Sequence, residues 1–382
     1  MFQNQKIMKY KILLLLSITF VVAACNSKNA TNSNLIPQKF DDQIDGKPVS
    51  LITLKNNAGM EVCITNFGGR IVSIFLPDKN GELRDVALGF DNIKDYENIP
   101  SDFGASIGRY ANRINKGKFV LDGDTIQLPC NNFGHCLHGG PNGWQYKVYD
   151  VVYQTDSSLT LSLTSPDKDS NFPGEVIANV DFLLANDNAI KISYSAVSDK
   201  KTIINMTNHT YFNLSGNPSE AVTEDVLYLN ADFFTPVDST FMTTGEILPV
   251  ENTPMDFTVA KKIGQDIDAD YIQLKNGRGY DHNWVLNTAG DINTVAASLY
   301  CPASGIILEV FTTEPGIQVY SGNFLDGTVA GKNGITYQKH SAICLETQHY
   351  PDSPNKPNWL PSVVLTPERQ YTSQTIYKFS TR

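Results

Sequence analysis

What most limits the fold of this chain is a period of two. From Pro48 onward, apolar side chains recur at alternate positions over short runs, at 50–55, 60–65, 71–76, 83–88 and onward. Such a period sends successive side chains to opposite faces of an extended strand. The turn Asn56-Asn57-Ala58-Gly59 separates the first two runs, and Pro77-Asp78-Lys79-Asn80-Gly81 the next two. Residues 118–121 and 125–128 flank Asp122-Gly123-Asp124, a strong hairpin signal. Further strands are expected at 148–153, 159–163, 176–184, 189–197, 296–300, 305–312 and 363–365. No long run carries the 3.6-residue period of a helix. Short strands with frequent turns specify an antiparallel sandwich or barrel. No repeat, low-complexity tract or linker follows residue 46, so 46–382 reads as one large β-domain.

The first 45 residues do not belong to that pattern. Lys6, Lys9 and Lys11 precede an unbroken apolar run over 12–24, shorter than the roughly 20 residues a membrane span needs. It ends in Val22-Ala23-Ala24-Cys25, which resembles a bacterial lipobox, cleaved before a cysteine that is then acylated. The expectation is a lipoprotein signal peptide at 1–24 and a lipidated Cys25. A flexible tether rich in Asn, Ser and Lys then spans 25–45. This places the protein in the cell envelope, on the periplasmic side or outer surface, touching membrane only through its lipid. An ordinary signal peptide beside a cysteine is the alternative.

Lysine and arginine number 30 against 40 acidic residues, a formal net charge of −10. That balance lacks the basic face nucleic acid requires. After Cys25 come Cys63, Cys130, Cys136, Cys301 and Cys344, an odd number with no metal-site spacing. They read as free thiols, with a small Cys130–Cys136 loop as the alternative in an oxidising compartment. No glycine loop of phosphate-binding type is present, so neither metal nor nucleotide cofactor is expected.

Six stretches carry dense polar chemistry. Asn208-His209-Thr210-Tyr211-Phe212-Asn213-Leu214-Ser215-Gly216 follows a strand and packs a histidine, a phenol and two amides into six positions. Gly108-Arg109-Tyr110-Ala111-Asn112-Arg113-Ile114 offers an Asn-Arg pair whose donors suit sugar hydroxyls or a carboxylate. In Leu137-His138-Gly139-Gly140 the glycines let backbone approach a ligand beside His138. Gly279-Tyr280-Asp281-His282-Asn283 sets an acid between aromatic neighbours. Glu314 to Asn323 carries Gln318. In Cys344-Leu345-Glu346-Thr347-Gln348-His349-Tyr350-Pro351-Asp352, Glu346 leaves an apolar run that reads as a buried strand, a costly place for a carboxylate unless paired or used. Each stretch alone has a plain reading as a turn, a strand end or an ion pair.

Together and in this order, they resemble the aldose 1-epimerase (galactose mutarotase) family from about residue 46 to the C-terminus. Asn115-Lys116-Gly117-Lys118-Phe119, Pro351-Asp352-Ser353-Pro354-Asn355 and Leu365-Thr366-Pro367 fit the same pattern. The resemblance implies an all-β fold, the large antiparallel β-sandwich of the galactose mutarotase type. It implies His209 as the general acid on the ring oxygen and Glu346 as the general base. It further implies Asn112, Arg113, His138, Tyr211, Asp281 and Gln318 as substrate-binding residues. Two departures stand out. Val148-Tyr149 occupies a place where the family often has tryptophan, for which Trp144 is the candidate substitute, and Glu368 replaces a common turn glycine.

The implied reaction interconverts the α and β anomers of free aldohexoses such as glucose and galactose, within hexose metabolism. Only protons move, so one carboxylate and one histidine suffice, each positioned transfer being worth about 10²–10⁴-fold. Two rival classes are a glycoside hydrolase using Glu346 and Asp281 as its carboxylate pair, and a lipid-anchored carbohydrate-binding protein. A binding protein would tolerate loss of Glu346 or His209, and both are present. A phosphosugar epimerase would need a basic cluster that the sequence does not assemble.

Overall fold

The computed structural model describes residues 33–359 and 361–382. The expected leader, Cys25 and the start of the tether lie outside the described residues. The largest sheet has nine antiparallel strands, in the order Asp150–Gln154, Ser158–Ser165, Val176–Leu184, Ala189–Ser198, Tyr371–Thr381, Ile306–Thr312, Ala297–Tyr300, Val226–Leu229 and Lys261–Lys262. Alternation decides which face is buried: Val176, Ala178, Val180, Phe182 and Leu184 point inward together with Ile190, Ile192, Tyr194 and Ala196.

A second sheet of six strands lies across that core, in the order Tyr211–Phe212, Ile343–Gln348, Gly316–Tyr320, Asp281–Val285, Phe233–Thr235 and Leu248–Pro249. Phe212, Trp284, Ile317, Val319, Ile343 and Leu345 from this sheet share one apolar cluster with Leu308, Val310, Tyr377 and Phe379 from the first. The Tyr377 hydroxyl donates to the Leu345 carbonyl at 2.9 Å, and its ring meets Phe212 edge-on at 5.1 Å. The result is the expected antiparallel sandwich. A four-stranded sheet, Leu51–Lys55, Glu61–Thr65, Arg70–Pro77 and Leu83–Asp85, flanks it.

Two adjacent interior strands of the six-stranded sheet, Ile343–Gln348 and Gly316–Tyr320, are buried along their whole length. Their outer face is therefore also enclosed, by loops, and that second face is polar. Ile343, Leu345 and Thr347 face the core while Cys344, Glu346 and Gln348 face the loops, as strand alternation requires. In the pairing register, Glu346 lies opposite Gln318, which lies opposite Asn283, and Tyr320 lies opposite both Cys344 and Asp281.

Several sequence expectations shift. The tether was expected to run to residue 45, yet Phe40 is fully buried and Asp42–Ile44 pairs with Lys47–Val49. One aromatic ring suffices to dock a short polar segment. The strand expected at 83–88 ends at Asp85, whose carboxylate accepts from Lys332 Nζ and from the Ile74 N–H. Tyr371–Thr381, eleven residues at the middle of the large sheet, was not anticipated. Ser373 and Thr375 occupy inward positions there, so its apolar stripe is broken by hydroxyls. Cys130 is exposed and Cys136 buried, both free thiols.

Arg70 ties the flanking sheet to the loop at 101–104. Its guanidinium is buried and donates to the carbonyls of Phe103 (2.9 Å), Ser101 (3.0 Å) and Gln145 (2.8 Å), with the Tyr96 ring 5.1 Å away. Arg70→Met keeps the apolar stem and strands these acceptors, each unmet group costing about 1–3 kcal/mol. The variant should lose roughly 3 kcal/mol or more, read as a lower urea midpoint at an unchanged slope.

Candidate active site

The polar face of the six-stranded sheet forms the floor of a cavity of about 220 Å³. Asn112, Arg113, His138, His209, Tyr211, Asp281, Gln318 and Glu346 all line it. Residues from six motifs between Asn112 and Glu346 thus meet in one place, together with Asp102, Asn132, Leu137, Tyr320 and Phe324.

His209 ends the short strand Thr207–His209, paired with Ala105–Ile107. Its neighbours exist to hold it. Asn208 Nδ2 donates to the Gly104 carbonyl at 3.0 Å, and Asn208 Oδ1 accepts from the Thr210 N–H at 3.1 Å and the Thr210 hydroxyl at 2.6 Å. The Gly104 N–H donates to the His209 carbonyl at 3.0 Å. Asn213 closes the segment by donating to the Ser341 carbonyl at 2.8 Å. The imidazole stacks on Tyr211, with centroids 5.0 Å apart and planes at 21°. Its Nε2 lies 3.5 Å from Glu346 Oε1, with Glu346 only 2% exposed.

The opposite wall comes from the Asn112-Arg113 and His138 loops. Asn112 and His138 both adopt left-handed backbone, φ 63° and 52°. They are locked reciprocally: the Asn112 N–H donates to His138 Nδ1 and the His138 N–H to the Asn112 carbonyl, both at 3.1 Å. Since Nδ1 accepts, the His138 proton sits on Nε2. Burial pushes its pKa down to about 3, so His138 is a neutral donor. Arg113 Nε donates to Asn132 Oδ1 at 3.1 Å, and its guanidinium lies 5.1 Å from the Phe241 ring centre. Gln318 Nε2 donates to Asp281 Oδ1 at 2.6 Å, fixing that carboxylate toward the cavity.

Two readings from the sequence need correction. Gly139 (φ 81°) makes room for the Gly108 carbonyl, which a Cβ would meet at 2.3 Å, so the close approach is to the protein's own backbone. Trp144 does not line the cavity: it is buried, and a Cβ on Gly108 would strike its ring at 2.0 Å. Arg109 points away, donating to the carbonyls of Pro173 and Gly174 at 2.9 and 2.8 Å. His282 is structural, its Nδ1 accepting from the Asp281 N–H at 3.2 Å and its Nε2 meeting Gln273 Oε1 at 3.1 Å.

Electrostatically the site drives its two central groups toward neutrality. Burial raises the Glu346 pKa well above the ordinary carboxylate range, and Asp281 and Asp102 raise it further, against Arg113. Burial lowers the His209 pKa, with Asp102 opposing that fall. Asp281 is raised by burial, with Arg113 and the Gln318 hydrogen bond opposing. The carboxylate acting on His209 is Asp102. Glu346 Oε2, Gln318 Oε1, His209 Nδ1 and Asp102 Oδ1 make no hydrogen bond among the described residues. Buried polar groups are normally satisfied, so such a concentration marks a surface shaped for a polar ligand.

Asp102 and an aromatic lip were missed from sequence. Phe324 lines the cavity edge and is backed by Phe241 and Phe133, with Phe133–Phe241 and Phe241–Phe324 centroids 5.0 and 5.4 Å apart, and the Arg278 guanidinium lies 5.3 Å from the Phe324 ring centre. Three phenylalanines and an arginine far apart in sequence give no local signal. Asp102 sits in a Ser-Asp-Phe-Gly turn, which reads simply as polar loop.

The model of the aldose 1-epimerase family matches residues 50–378. The aldose 1-epimerase of Escherichia coli strain K12 is 40% identical over 336 residues, covering 88% of this chain and 96% of that protein. Human galactose mutarotase is 39% identical over 321 residues, covering 84% and 91%. Among solved structures, a GalM/aldose epimerase homologue from C. elegans superposes with a TM-score of 0.81 at 32% identity, covering 87% of this chain and 99% of that one. Galactose 1-epimerase from Lactobacillus acidophilus NCFM gives 0.78 at 30% identity, covering 89% and 97%.

Asp281 and Arg113 are charged side chains that line the cavity, and we propose them as partners of ring hydroxyls. Asp281→Ala or Arg113→Ala should weaken sugar handling about tenfold or more, since a hydrogen bond to a charged group is worth about 1.5–3 kcal/mol. Kinetics over a range of sugar concentrations, on variants shown by circular dichroism to be folded, measure the change.

Proposed function

The chain belongs to the aldose 1-epimerase family and interconverts the α and β anomers of aldoses; from that premise we propose that Glu346 and His209 are its general base and general acid. The carrying observation is the 3.5 Å approach of His209 Nε2 to Glu346 Oε1 on the floor of a cavity whose walls are donors and acceptors.

Glu346 removes the proton of the anomeric hydroxyl as His209 delivers one to the ring oxygen. The C1–O5 bond breaks, C1 becomes an aldehyde carbon, and rotation about C1–C2 presents its other face. Closure reverses both transfers. The pair begins as carboxylate and imidazolium and is neutral while the sugar is open. Burial raises one pKa and lowers the other, so it stabilises that neutral stage and keeps the proton movable in both directions. Neutral His138, donating through Nε2, together with Arg113, Asp281 and Gln318, holds the hydroxyls. Glucose and galactose are the proposed hexoses.

The rate should follow a bell in pH. At low pH the pair carries two protons and lacks a base; at high pH it carries none and lacks an acid. Glu346→Gln and His209→Asn should each lower kcat by about 10²-fold or more. Polarimetry on freshly dissolved α-glucose and α-galactose reads this directly, and wild-type turnover in Glu346→Gln would remove it as the base.

We further propose that Cys25 is acylated and tethers the domain to the cell envelope, with residues 1–24 as its signal peptide. Support comes from the Val22-Ala23-Ala24-Cys25 sequence behind the apolar run. The family match begins at residue 50, beyond this segment. Cys25→Ala should move the protein from detergent phase to aqueous phase, and intact mass of the native protein should show a lipid-modified Cys25.

A further inference from the structure

Among the described residues, Asp102 is the one carboxylate lining this site that makes no side-chain hydrogen bond or ion pair, and it has no role in the reaction as described. One of its oxygens and one ring nitrogen each of His138 and His209 lie within 4.8 Å of one another. The trio has the composition of a metal-ligand set, but His138 excludes that use. Its Nδ1 is taken by the Asn112 N–H and its Nε2 carries the proton, leaving no lone pair to donate. What remains is a negative charge held against two imidazoles.

The backbone fixes that charge closely. Arg70 grips the carbonyls of Ser101 and Phe103 on either side of Asp102, and the Gly104 N–H bonds the His209 carbonyl. The Phe103 ring packs edge-on against Tyr211, 4.7 Å away, and Tyr211 stacks on His209. Asp102 therefore cannot drift from His209 without breaking contacts on both sides. Its Oδ1 is shut off from solvent and makes no hydrogen bond among the described residues.

We infer that Asp102 is a positioning residue for protons: its fixed negative charge keeps the single proton on the His209–Glu346 pair at neutral pH. This rests on the acid–base reading above. Other groups facing His209 do not supply that charge. Tyr211 and Tyr320 are buried phenols whose pKa values burial raises, so both are uncharged. His138 is neutral. Arg70, from the flanking sheet, disfavours the imidazolium. Glu346 is the partner within the pair and titrates with it, while Arg113 and Asp281 act on Glu346 from the far side. Asp102 raises both members of the pair, since an anion favours the protonated form of an imidazole and of a carboxyl group alike.

The test is Asp102→Asn, which keeps shape and removes charge. The side chain holds no hydrogen bond among the described residues, so the fold does not depend on it. Two measurements are made: the pH profile of kcat, and the titration of the His209 ring nitrogens by 15N NMR, assigned by their loss in His209→Asn. Both limbs of the bell should move toward acid, by about one pH unit or more, and the His209 titration should move with them. Asp102→Glu should return both toward wild type. A rate lowered equally at every pH, with an unmoved His209 titration, overturns the inference. A His209 titration that moves while the bell stays in place upholds the charge coupling and sinks instead the assignment of His209 as the acid.

Discussion

Everything at this site follows from placing a carboxylate where water cannot reach it. Glu346 sits on a strand paired on both sides and buried on both faces, so neither its backbone nor its side chain can relax toward solvent. A buried charge without compensation is expensive, and the usual escape is a pKa shift toward neutrality. In the proposed mechanism that escape is the chemistry. A base that wants a proton, held against an acid that is ready to lose one, makes transfer to and from a sugar nearly balanced. Histidine and glutamate in open water would differ too much for that, the ordinary values being near 6.5 and 4.3.

The remaining architecture answers the cost of such a floor. Gln318 neutralises the lone pairs of Asp281 without adding charge, and Arg113 opposes two carboxylates from one side. Neutral donors do the rest. His138 is held in a single tautomer by backbone alone, a stiffer arrangement than a side-chain partner would give, because the Asn112 and His138 loops bond each other reciprocally. Preorganisation of this kind removes the reorganisation that water would demand at each turnover.

Much of this was legible in the amino-acid order, for a physical reason. Alternation is local, so the strands at 176–184 and 189–197 were visible, and Glu346 stood out because a charge interrupts an apolar run. His209 was visible because the amides and hydroxyl that hold it are its own neighbours. Tyr371–Thr381 was not, since the inward hydroxyls of Ser373 and Thr375 interrupt its apolar stripe; Thr375 meets Thr347 on the facing strand. Asp102 was invisible for the opposite reason. Nothing in Ser101-Asp102-Phe103-Gly104 shows that Arg70 will clamp it, or that the turn will fold back on His209. Long-range electrostatics leaves no periodic trace.

The aromatic lip carries a consequence of another kind. Phe133 and Phe241 both have left-handed backbone, φ 45° and 63°, which bulky side chains rarely adopt, and Arg278 lies over the trio. The doorway is thus built of rings set by their own main chain. Two anomers differ only at C1, which the proposed mechanism sets at the floor beside Glu346. Whatever touches a sugar at the doorway touches the same atoms in substrate and product. Contacts there hold both anomers equally, setting occupancy and traffic while staying blind to handedness. The molecule keeps its stereochemical ignorance at the entrance and confines all discrimination between faces to one carbon at the bottom.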